Sequence, residues 1–96
     1  MAAVTSKAEE VINEKIIDPR WKEVKSPSKG KVYYSMGIYE EPLEIGDMIR
    51  KGDRLCYMES MLSYSEIKSE FNGRIADICF KNGAIVKKGD VIMRIK

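Results

Sequence analysis

The sequence predicts an all-β fold, a flattened barrel or sandwich of about eight short strands arranged in two pseudo-symmetric halves. The first observation behind this prediction is a repeat, since Ile49–Asp53 (IRKGD) recurs as Val86–Asp90 (VKKGD) thirty-seven residues later. The similarity continues upstream, where Ser26–Val32 matches Ser69–Ile75 at an offset of forty-three residues. Two copies of so short a unit are too few for a solenoid, which needs about three or more. The repeat therefore indicates two related halves of one domain.

Residues 1–23 are predicted to form a helical extension ahead of a domain at 24–96. Ser6 and Glu9 have the spacing of a capping box, in which both side chains bond backbone amides at the start of a helix. A short helix is expected from about Lys7 to Ile16, and the proline of Asp18-Pro19 ends it because it has no amide hydrogen to donate. One apolar stripe on this helix comprises Ala8, Val11, Ile12 and Ile16. The helix either packs on the domain or docks on a partner subunit.

The second observation is the pattern from Val24 onward, where apolar residues alternate with polar ones or occur in pairs between Gly, Pro, Asn and Asp residues. This pattern is typical of short strands joined by turns. The two Lys-Gly-Asp stretches are expected to be tight turns, because glycine reaches positive φ without steric cost. The predicted strands are Val24–Lys25, Gly30–Tyr34, Leu43–Ile45, Arg54–Ser60, Ser65–Glu70, Gly73–Cys79, Ile85–Val86 and Val91–Ile95.

The composition argues against several classes of function. The 17 basic and 15 acidic residues give a net charge of +2 and alternate along the chain, so no basic patch indicates nucleic-acid binding. No apolar run is long enough to cross a membrane and no secretory signal is present, so a soluble, cytoplasmic protein is expected. Without histidine or metal-ligand spacings, neither a metal site nor catalytic residues are predicted. Cys56 and Cys79 are expected to be small buried hydrophobes.

Two segments are candidates for function. The offset of the repeat changes between Gly30 and Gly46, which places an insertion in the first half at about residues 35–42. A hairpin between the two halves is expected to turn near Met61 and Leu62, with its tip at residues 60–63. Loops on a rigid scaffold frequently carry function, so both segments are of interest.

The hairpin region carries the motifs Gly52–Met61 (GDRLCYMESM), Glu66-Ile67 and Asn72–Ile75 (NGRI). In these motifs the chain resembles the biotinyl domain of biotin carboxyl carrier proteins. Val24–Pro27 and Gly30–Tyr34 are similar to the opening of the acetyl-CoA carboxylase type, which acts in fatty acid biosynthesis, and the insertion resembles the protruding thumb loop of that type. Lipoyl domains share the barrel but generally lack this loop. The resemblance covers about residues 24 to 96.

In the resembled family, a Glu-Ala-Met-Lys-Met turn presents the lysine that is acylated by biotin. On this chain, Glu59, Ser60, Met61, Leu62 and Ser63 match the five motif positions in that order, so Leu62 stands at the position of the acceptor lysine. Biotinylation requires an amine nucleophile, and leucine offers only a hydrocarbon. Lys68 lies in the descending strand and substitutes poorly. No cofactor is therefore expected on this chain, although the family carries biotin.

The residues at the two candidate segments leave alternatives open. Leu62 either folds back onto the barrel or is merely tolerated at the tip, or, beside Met61, it fills a carboxylase-type pocket with hydrocarbon where biotin would go. An engineered replacement of the lysine is also conceivable, but the departures at Ser60 and Ser63 favour natural divergence. Ile38 and Tyr39 of the insertion either cover the tip or a partner, or belong to an ordinary polar loop.

The resemblance implies a carrier-like subunit that lacks the acceptor lysine and has a structural or regulatory role. Its expected partners are biotin carboxylase, carboxyltransferase or biotin ligase. The alternative is a working biotin or lipoyl carrier that is modified at an unexpected site. An enzyme is not expected, because a catalytic site needs convergent titratable groups in a cleft.

Overall fold

The computed structural model describes residues 16–37, 40–61 and 63–96. These ranges contain strands and turns and no helix, which confirms the all-β prediction. The strands are β1 Lys22–Lys25, β2 Gly30–Tyr33, β3 Met48–Ile49, β4 Arg54–Ser60, β5 Ser63–Lys68, β6 Gly73–Ile78, β7 Ala84–Val86 and β8 Val91–Ile95. The predicted N-terminal helix lies outside the described residues except for Ile16, which is not helical.

The strands form two four-stranded sheets, ordered β1-β8-β6-β3 and β5-β4-β2-β7. All of their pairings are antiparallel. The repeat relates one sheet to the other, because equivalent strands of the two halves occupy equivalent places in the two sheets. The equivalent pairs are β1 and β5, β8 and β4, β6 and β2, and β3 and β7. The sandwich form of the prediction is therefore confirmed.

The barrel form of the prediction is wrong, because the two sheets are not closed into a barrel. At the edge formed by β1 and β5, Val24 and Ile67 lie on opposite sides of an open gap of about 280 Å³. Each of these edge strands pairs with one neighbour only, β8 or β4. The sheets are held together here by their buried side chains and by turns, with no hydrogen-bonded ladder between them.

The two halves exchange hydrogen bonds at their turns. The Gly52 amide donates to the Ser69 carbonyl over 2.8 Å, and the Gly89 amide donates to the Ser26 carbonyl over 2.9 Å. Both glycines have the positive φ expected for these turns, 93° and 89°. Each Lys-Gly-Asp turn therefore closes on a serine of the other half, which ties the halves into one unit.

A second equivalent pair of glycines allows neighbouring strands to approach closely. A Cβ atom on Gly30 would lie 2.3 Å from the carbonyl oxygen of Glu59, and one on Gly73 would lie 2.3 Å from that of Lys96. Real Cβ atoms do not come so close to a backbone oxygen. The repeated glycines at these two positions thus have a steric cause.

One predicted strand was misplaced. Leu43–Ile45 is irregular, and the strand that completes this part of the sheet is Met48–Ile49, which pairs with Arg74 and Gly73. A turn intervenes because the Asp47 carboxylate accepts a 2.9 Å hydrogen bond from the Glu44 amide. The repeat already indicated the correct place, since β7 lies thirty-seven residues later. The remaining predicted strands are found within two residues of their expected ends.

The core lies between the sheets and consists of the inward-facing side chains of both halves. Alternation along the strands places one face of each sheet in this interior. Its buried members are Val24, Val32, Ile49, Leu55, Cys56, Met58, Ile67, Ile75, Val86, Ile92, Met93 and Ile95. The core supports both ends of the sandwich, including the end from which the β4–β5 hairpin projects.

Candidate functional site

The candidate site is the tip of the hairpin formed by β4 and β5. The strands remain paired up to Ser60 and Ser63, which leaves positions 61 and 62 between them. Met61 is 95% exposed and has a φ of 55°. Tight two-residue hairpin turns require positive φ, which glycine and asparagine usually supply. The tip therefore holds a methionine in a left-handed conformation with its side chain in solvent. Leu62 lies outside the described residues.

Two serine hydroxyls support the tip from below. The Ser63 hydroxyl donates to the Ser60 carbonyl over 3.2 Å, which closes the end of the hairpin. The Ser60 hydroxyl donates to the Lys29 carbonyl over 3.1 Å, which fixes the tip to the loop between β1 and β2. These serines therefore support the structure of the tip. The contact with Lys29 was not predicted, because the two residues are far apart in the sequence.

An open groove of about 510 Å³ borders the tip, and we call it the tip groove. Its lining includes Lys29, Lys31, Glu59, Ser60, Met61 and Ile85. Met61 and Ile85 expose apolar surface there, with Ile85 63% exposed. The groove thus combines exposed hydrocarbon with charges of both signs beside the tip.

Glu59 lies on the outer face of the sheet, in a row that continues through Lys31 to Ile85 on β7. It pairs across the strands with Lys31 on β2 and Tyr64 on β5. Its carboxylate accepts a hydrogen bond of 2.5 Å from the Tyr64 hydroxyl. This bond is the main cause of the raised pKa of Tyr64. The Tyr33 ring lies 6.4 Å from that of Tyr64, so an aromatic and acidic surface adjoins the tip.

The insertion is attached to β4 through Glu40. Its carboxylate lies 2.8 Å from the Arg54 guanidinium and accepts a 3.0 Å hydrogen bond from the Tyr57 hydroxyl. The Ser35 hydroxyl donates to the Glu40 carbonyl over 2.6 Å and closes the base of the loop. Partial burial, followed by the Glu40 contact, raises the pKa of Tyr57. Ile38 and Tyr39 lie outside the described residues, so their predicted role stays a prediction.

Two lysines other than Lys68, which the sequence already indicated to be a poor substitute, lie beside the tip. Lys68 pairs with Arg54 at the opposite end of the hairpin. Lys29 and Lys31 instead lie beside Ser60 and Glu59, because β2 runs antiparallel to β4. The signal that could have found them was the pairing of β2 with β4, which brings residues some thirty positions apart into contact.

The described residues hold no cluster of three or more His, Cys, Asp or Glu side chains that could bind a metal ion. Cys56 is buried as expected, with 1% of its surface exposed. The prediction for Cys79 was wrong, because this residue is only half-buried and its sulfur lies 3.2 Å from the Arg94 guanidinium. Cys79 lies one residue beyond the end of β6, where its sulfur contacts the Asp77 and Arg94 side chains, so the hydrophobic pattern there was misleading.

The sequence model of the biotin/lipoyl family, described as "Biotin-requiring enzyme", matches residues 22–95. This match spans both halves of the sandwich and the hairpin between them. The chain belongs to the biotin/lipoyl family. Its match begins with β1 and ends with β8, so it includes each strand described above.

Two relatives are biotin carboxyl carrier proteins of acetyl-CoA carboxylase. That of Nostoc sp. is 37% identical over 83 residues, which cover 85% of this chain and 46% of the relative. That of Cyanidium caldarium is 36% identical over 74 residues, which cover 76% of this chain and 49% of the relative. The chain thus spans about half the length of these relatives.

A solved structure has the same fold. The urea carboxylase of Kluyveromyces lactis superposes with a TM-score of 0.69 and 23% sequence identity, covering 86% of this chain and 7% of the larger one. At this identity the likeness establishes the fold alone.

Among the residues that the structure describes, no helix has the length and hydropathy needed to span a membrane.

Proposed function

We propose that this chain is a biotin carboxyl carrier-like domain of an acetyl-CoA-type carboxylase that is not itself biotinylated. It acts as a structural or regulatory subunit that has the surfaces of a carrier protein but carries no biotin. The main observation behind this proposal is the hairpin tip, where the Met61 side chain is exposed to solvent and the next residue in the sequence is leucine. Family membership and similarity to carrier proteins of acetyl-CoA carboxylase support the choice of complex.

The chemistry of position 62 supports the loss of the carrier activity. A carrier lysine uses its unprotonated amine to attack the carbonyl carbon of an activated acyl group, with expulsion of the leaving group. The Leu62 side chain has no lone pair and forms no such bond. The neighbouring Ser60 and Ser63 hydroxyls are already hydrogen-bonded to backbone carbonyls, and no histidine is available to activate them.

The backbone at Met61 supports a retained role in display. A left-handed residue other than glycine costs about 1–2 kcal/mol. Such strain tends to occur at functional sites, where the surrounding structure enforces it. A tip with no partner would gain stability from Asn or Gly at this position, whereas Met61 provides exposed hydrocarbon for a contact.

Intact-mass analysis after co-expression with a biotin ligase tests the proposal. We expect the mass of the unmodified chain. A stoichiometric biotinyl or lipoyl adduct would contradict the proposal that the chain carries no cofactor, because it would require another nucleophile on this chain. The known biotin carrier of the same host serves as the positive control for ligase activity.

Restoring the amine tests whether the rest of the tip is preserved. We expect Leu62→Lys to acquire biotin, because the paired strands and the positive φ of Met61 would hold the new lysine at the apex. Leu62→Arg is the matched control, since it adds a charge but no acylatable amine. If Leu62→Lys stays unmodified, recognition by the ligase has diverged as well as the nucleophile.

A working carrier with an unexpected acceptor is the second candidate, and the position of Lys29 favours it. This lysine is exposed, and its carbonyl accepts the hydrogen bond from Ser60 at the base of the tip. Peptide mapping of any adduct, together with Lys29→Arg, separates the two candidates. Loss of an adduct in Lys29→Arg would support this second function and contradict the first.

The proposed role is tested by competition. We expect the unmodified chain to bind a biotin carboxylase or carboxyltransferase subunit and to slow carboxylation of a biotinylated carrier as its concentration rises. Met61→Asp should weaken this inhibition by placing a charge in the contact, whereas Glu41→Gln, on the exposed part of the insertion, should not. Failure of the unaltered chain and of the Glu41→Gln variant to bind any carboxylase subunit would contradict the proposed role.

A further inference from the structure

The pseudo-symmetry creates a second groove at the end of the sandwich away from the hairpin tip, and we call it the far groove. It has a volume of about 560 Å³, and its lining includes Met48, Arg50, Asn72, Gly73, Arg74 and Lys96. The offsets of the repeat relate three of these residues to the lining of the tip groove. The equivalent pairs are Met48 and Ile85, Arg74 and Lys31, and Lys96 and Glu59. The far groove is therefore the counterpart of the tip groove.

The far groove lies beyond the start of β4, whereas the tip lies at the end of that strand. The Asn72 side chain in the groove lining accepts a 2.8 Å hydrogen bond from the amide of Lys51, which precedes β4. The 7 residues of β4, from Arg54 to Ser60, span about 20 Å. A short segment bound in the far groove therefore leaves the tip uncovered.

The two grooves differ in charge at one cross-strand pair. In the tip groove, Lys31 is directly opposite Glu59, so opposite charges lie side by side. In the far groove, Arg74 and Lys96 exchange two backbone hydrogen bonds of 2.9 Å, which makes them directly opposite as well. Like charges in this arrangement destabilise a sheet. The tip groove thus compensates its own charge, and the far groove does not.

The cations of the far groove lack acidic partners. Arg50, Arg74 and Lys96 form no ion pair with any side chain in the described ranges. The carboxylate of Asp47, beside Met48 in the sequence, accepts a hydrogen bond from an amide of its own turn. The Arg74 Nη1 atom donates to the Gly46 carbonyl over 3.1 Å, which fixes the guanidinium at the groove. The positive charge is therefore both localised and uncompensated.

Hydrocarbon lies beside these cations. Met48 is 61% exposed and is directly opposite Arg74 on the neighbouring strand. Gly73 contributes only backbone to the lining, so no side chain fills the space next to Met48 at this position. The groove thus combines an exposed apolar side chain with positive charge on one side of it.

We propose that the far groove binds an acidic segment of a partner protein, in which an apolar side chain packs on Met48 and flanking carboxylates pair with Arg74, Lys96 and Arg50. Charge complementarity carries this choice of occupant. A carboxylate between Arg74 and Lys96 replaces their repulsion with attraction, as Glu59 does beside Lys31 in the tip groove. Arginine suits this role, because its guanidinium binds a carboxylate through two parallel hydrogen bonds.

The exposed hydrocarbon distinguishes a peptide from other anions. A polyphosphate would use the cations but would leave Met48 in water, whereas an apolar side chain removes that surface from solvent. The surface is separate from the hairpin tip, so the inference does not depend on whether the tip carries biotin. A partner bound here would leave Met61 free for a second contact.

Titration of the full chain with a synthetic peptide, EEDLDEE, tests the proposal by NMR of the methionine methyl groups. We expect the Met48 methyl resonance to shift saturably and the Met61 methyl, in the tip groove, to stay unmoved. Two matched peptides separate the contributions. EEDSDEE, which lacks the apolar side chain, should bind more weakly, and KKKLKKK should not bind. Added salt should weaken the binding of EEDLDEE, because it screens exposed charges.

Substitutions on the chain locate the site. Arg74→Glu should weaken the binding of EEDLDEE by about fivefold or more, because an ion pair becomes a repulsion. Lys31→Glu is the matched control at the equivalent position of the tip groove, and it should leave the affinity unchanged. Met48→Ala, read from the Arg74 and Lys96 amides, should weaken EEDLDEE and leave EEDSDEE unaffected. Unchanged core resonances show that each variant is folded.

Four results would overturn the proposal. EEDLDEE could fail to shift the Met48 methyl, or Arg74→Glu and Lys31→Glu could have equal effects. Equal affinity for EEDLDEE, EEDSDEE and inorganic polyphosphate would show a site for anions in general, without the apolar contact. A Met48 resonance that moves with the concentration of the chain alone would instead assign the groove to a second copy.

Discussion

Cys56 and Cys79 have different environments although both lie in apolar stretches of the sequence. Cys56 is buried in the core, and this burial raises the pKa of its thiol to about 12. Cys79 is half-buried, with its sulfur 3.2 Å from Arg94 and 3.6 Å from Asp77. The thiolate is the reactive form of cysteine, so the two thiols should react at very different rates.

A thiol-reactive disulfide at pH 8 should modify Cys79 in the folded protein and reach Cys56 only after unfolding in urea. The reaction is measured by absorbance and by peptide mass. Cys79→Ser should abolish labelling of the folded chain. Rapid modification of Cys56 without denaturant would contradict the core position of this residue.

The raised pKa of Cys56 also fixes the direction of a pH effect on stability. In the unfolded chain a cysteine titrates near pH 8.5, whereas the folded chain holds the proton up to about pH 12. The contribution of the Cys56 thiol to the free energy of unfolding is complete below the pKa of the unfolded chain. It is lost as the pH rises toward the pKa of the folded chain. Cys56→Val should therefore show a shallower alkaline loss of unfolding free energy.

At the scale of the element, Glu40 anchors the insertion to β4. Glu40 contacts both Arg54 and Tyr57, and its second carboxylate oxygen lies 3.4 Å from the Met36 amide. The neighbouring Glu41 is exposed. Glu40 therefore attaches the loop to β4 with charge-assisted bonds, which are about twice as strong as neutral ones.

Glu40→Gln should increase amide exchange at Met36 and at Glu40 itself, because the amide side chain cannot replace the ion pair with Arg54. The expected loss of overall stability is at most about 1 kcal/mol, since the pair is partly exposed. Glu41→Gln is the matched control and should leave exchange in the insertion unchanged. Equal effects of the two substitutions would show that Glu40 is not the anchor.

The elements also show what the sequence could predict. Strands that follow a Lys-Gly-Asp turn, such as Arg54–Ser60 and Val91–Ile95, were placed correctly because the glycine reaches the positive φ of the turn and the aspartate carboxylate accepts a backbone hydrogen bond within it. Leu43–Ile45 was misplaced because a short apolar pattern does not distinguish a strand from a loop that packs on the core. The contact of Lys29 with the tip depends on strand pairing, which local patterns do not contain.

At the scale of the whole molecule, the two halves stabilise one another through equivalent serines. The Ser26 amide donates to the Asp90 carbonyl and the Ser69 amide donates to the Asp53 carbonyl, each over 2.8 Å. Both serine hydroxyls are buried and donate to a carbonyl two residues ahead over 2.6 Å. Every such bond connects or stiffens a turn between halves, so neither half has a complete set of partners alone.

We therefore expect both Ser26→Ala and Ser69→Ala to destabilise the whole domain, each by about 0.5–1.5 kcal/mol, because a partly buried hydrogen bond to a backbone carbonyl is lost. Ser69→Ala should have the larger effect, since the Ser69 hydroxyl also accepts a 3.1 Å hydrogen bond from the Phe71 amide. Urea denaturation measures both, and the exposed Ser65→Ala should change stability by no more than about 0.5 kcal/mol. Each variant should unfold in one transition with an unchanged dependence on urea. A second transition in either variant would mean that the halves fold independently, in which case the repeated turns would be similar in sequence without being coupled in energy.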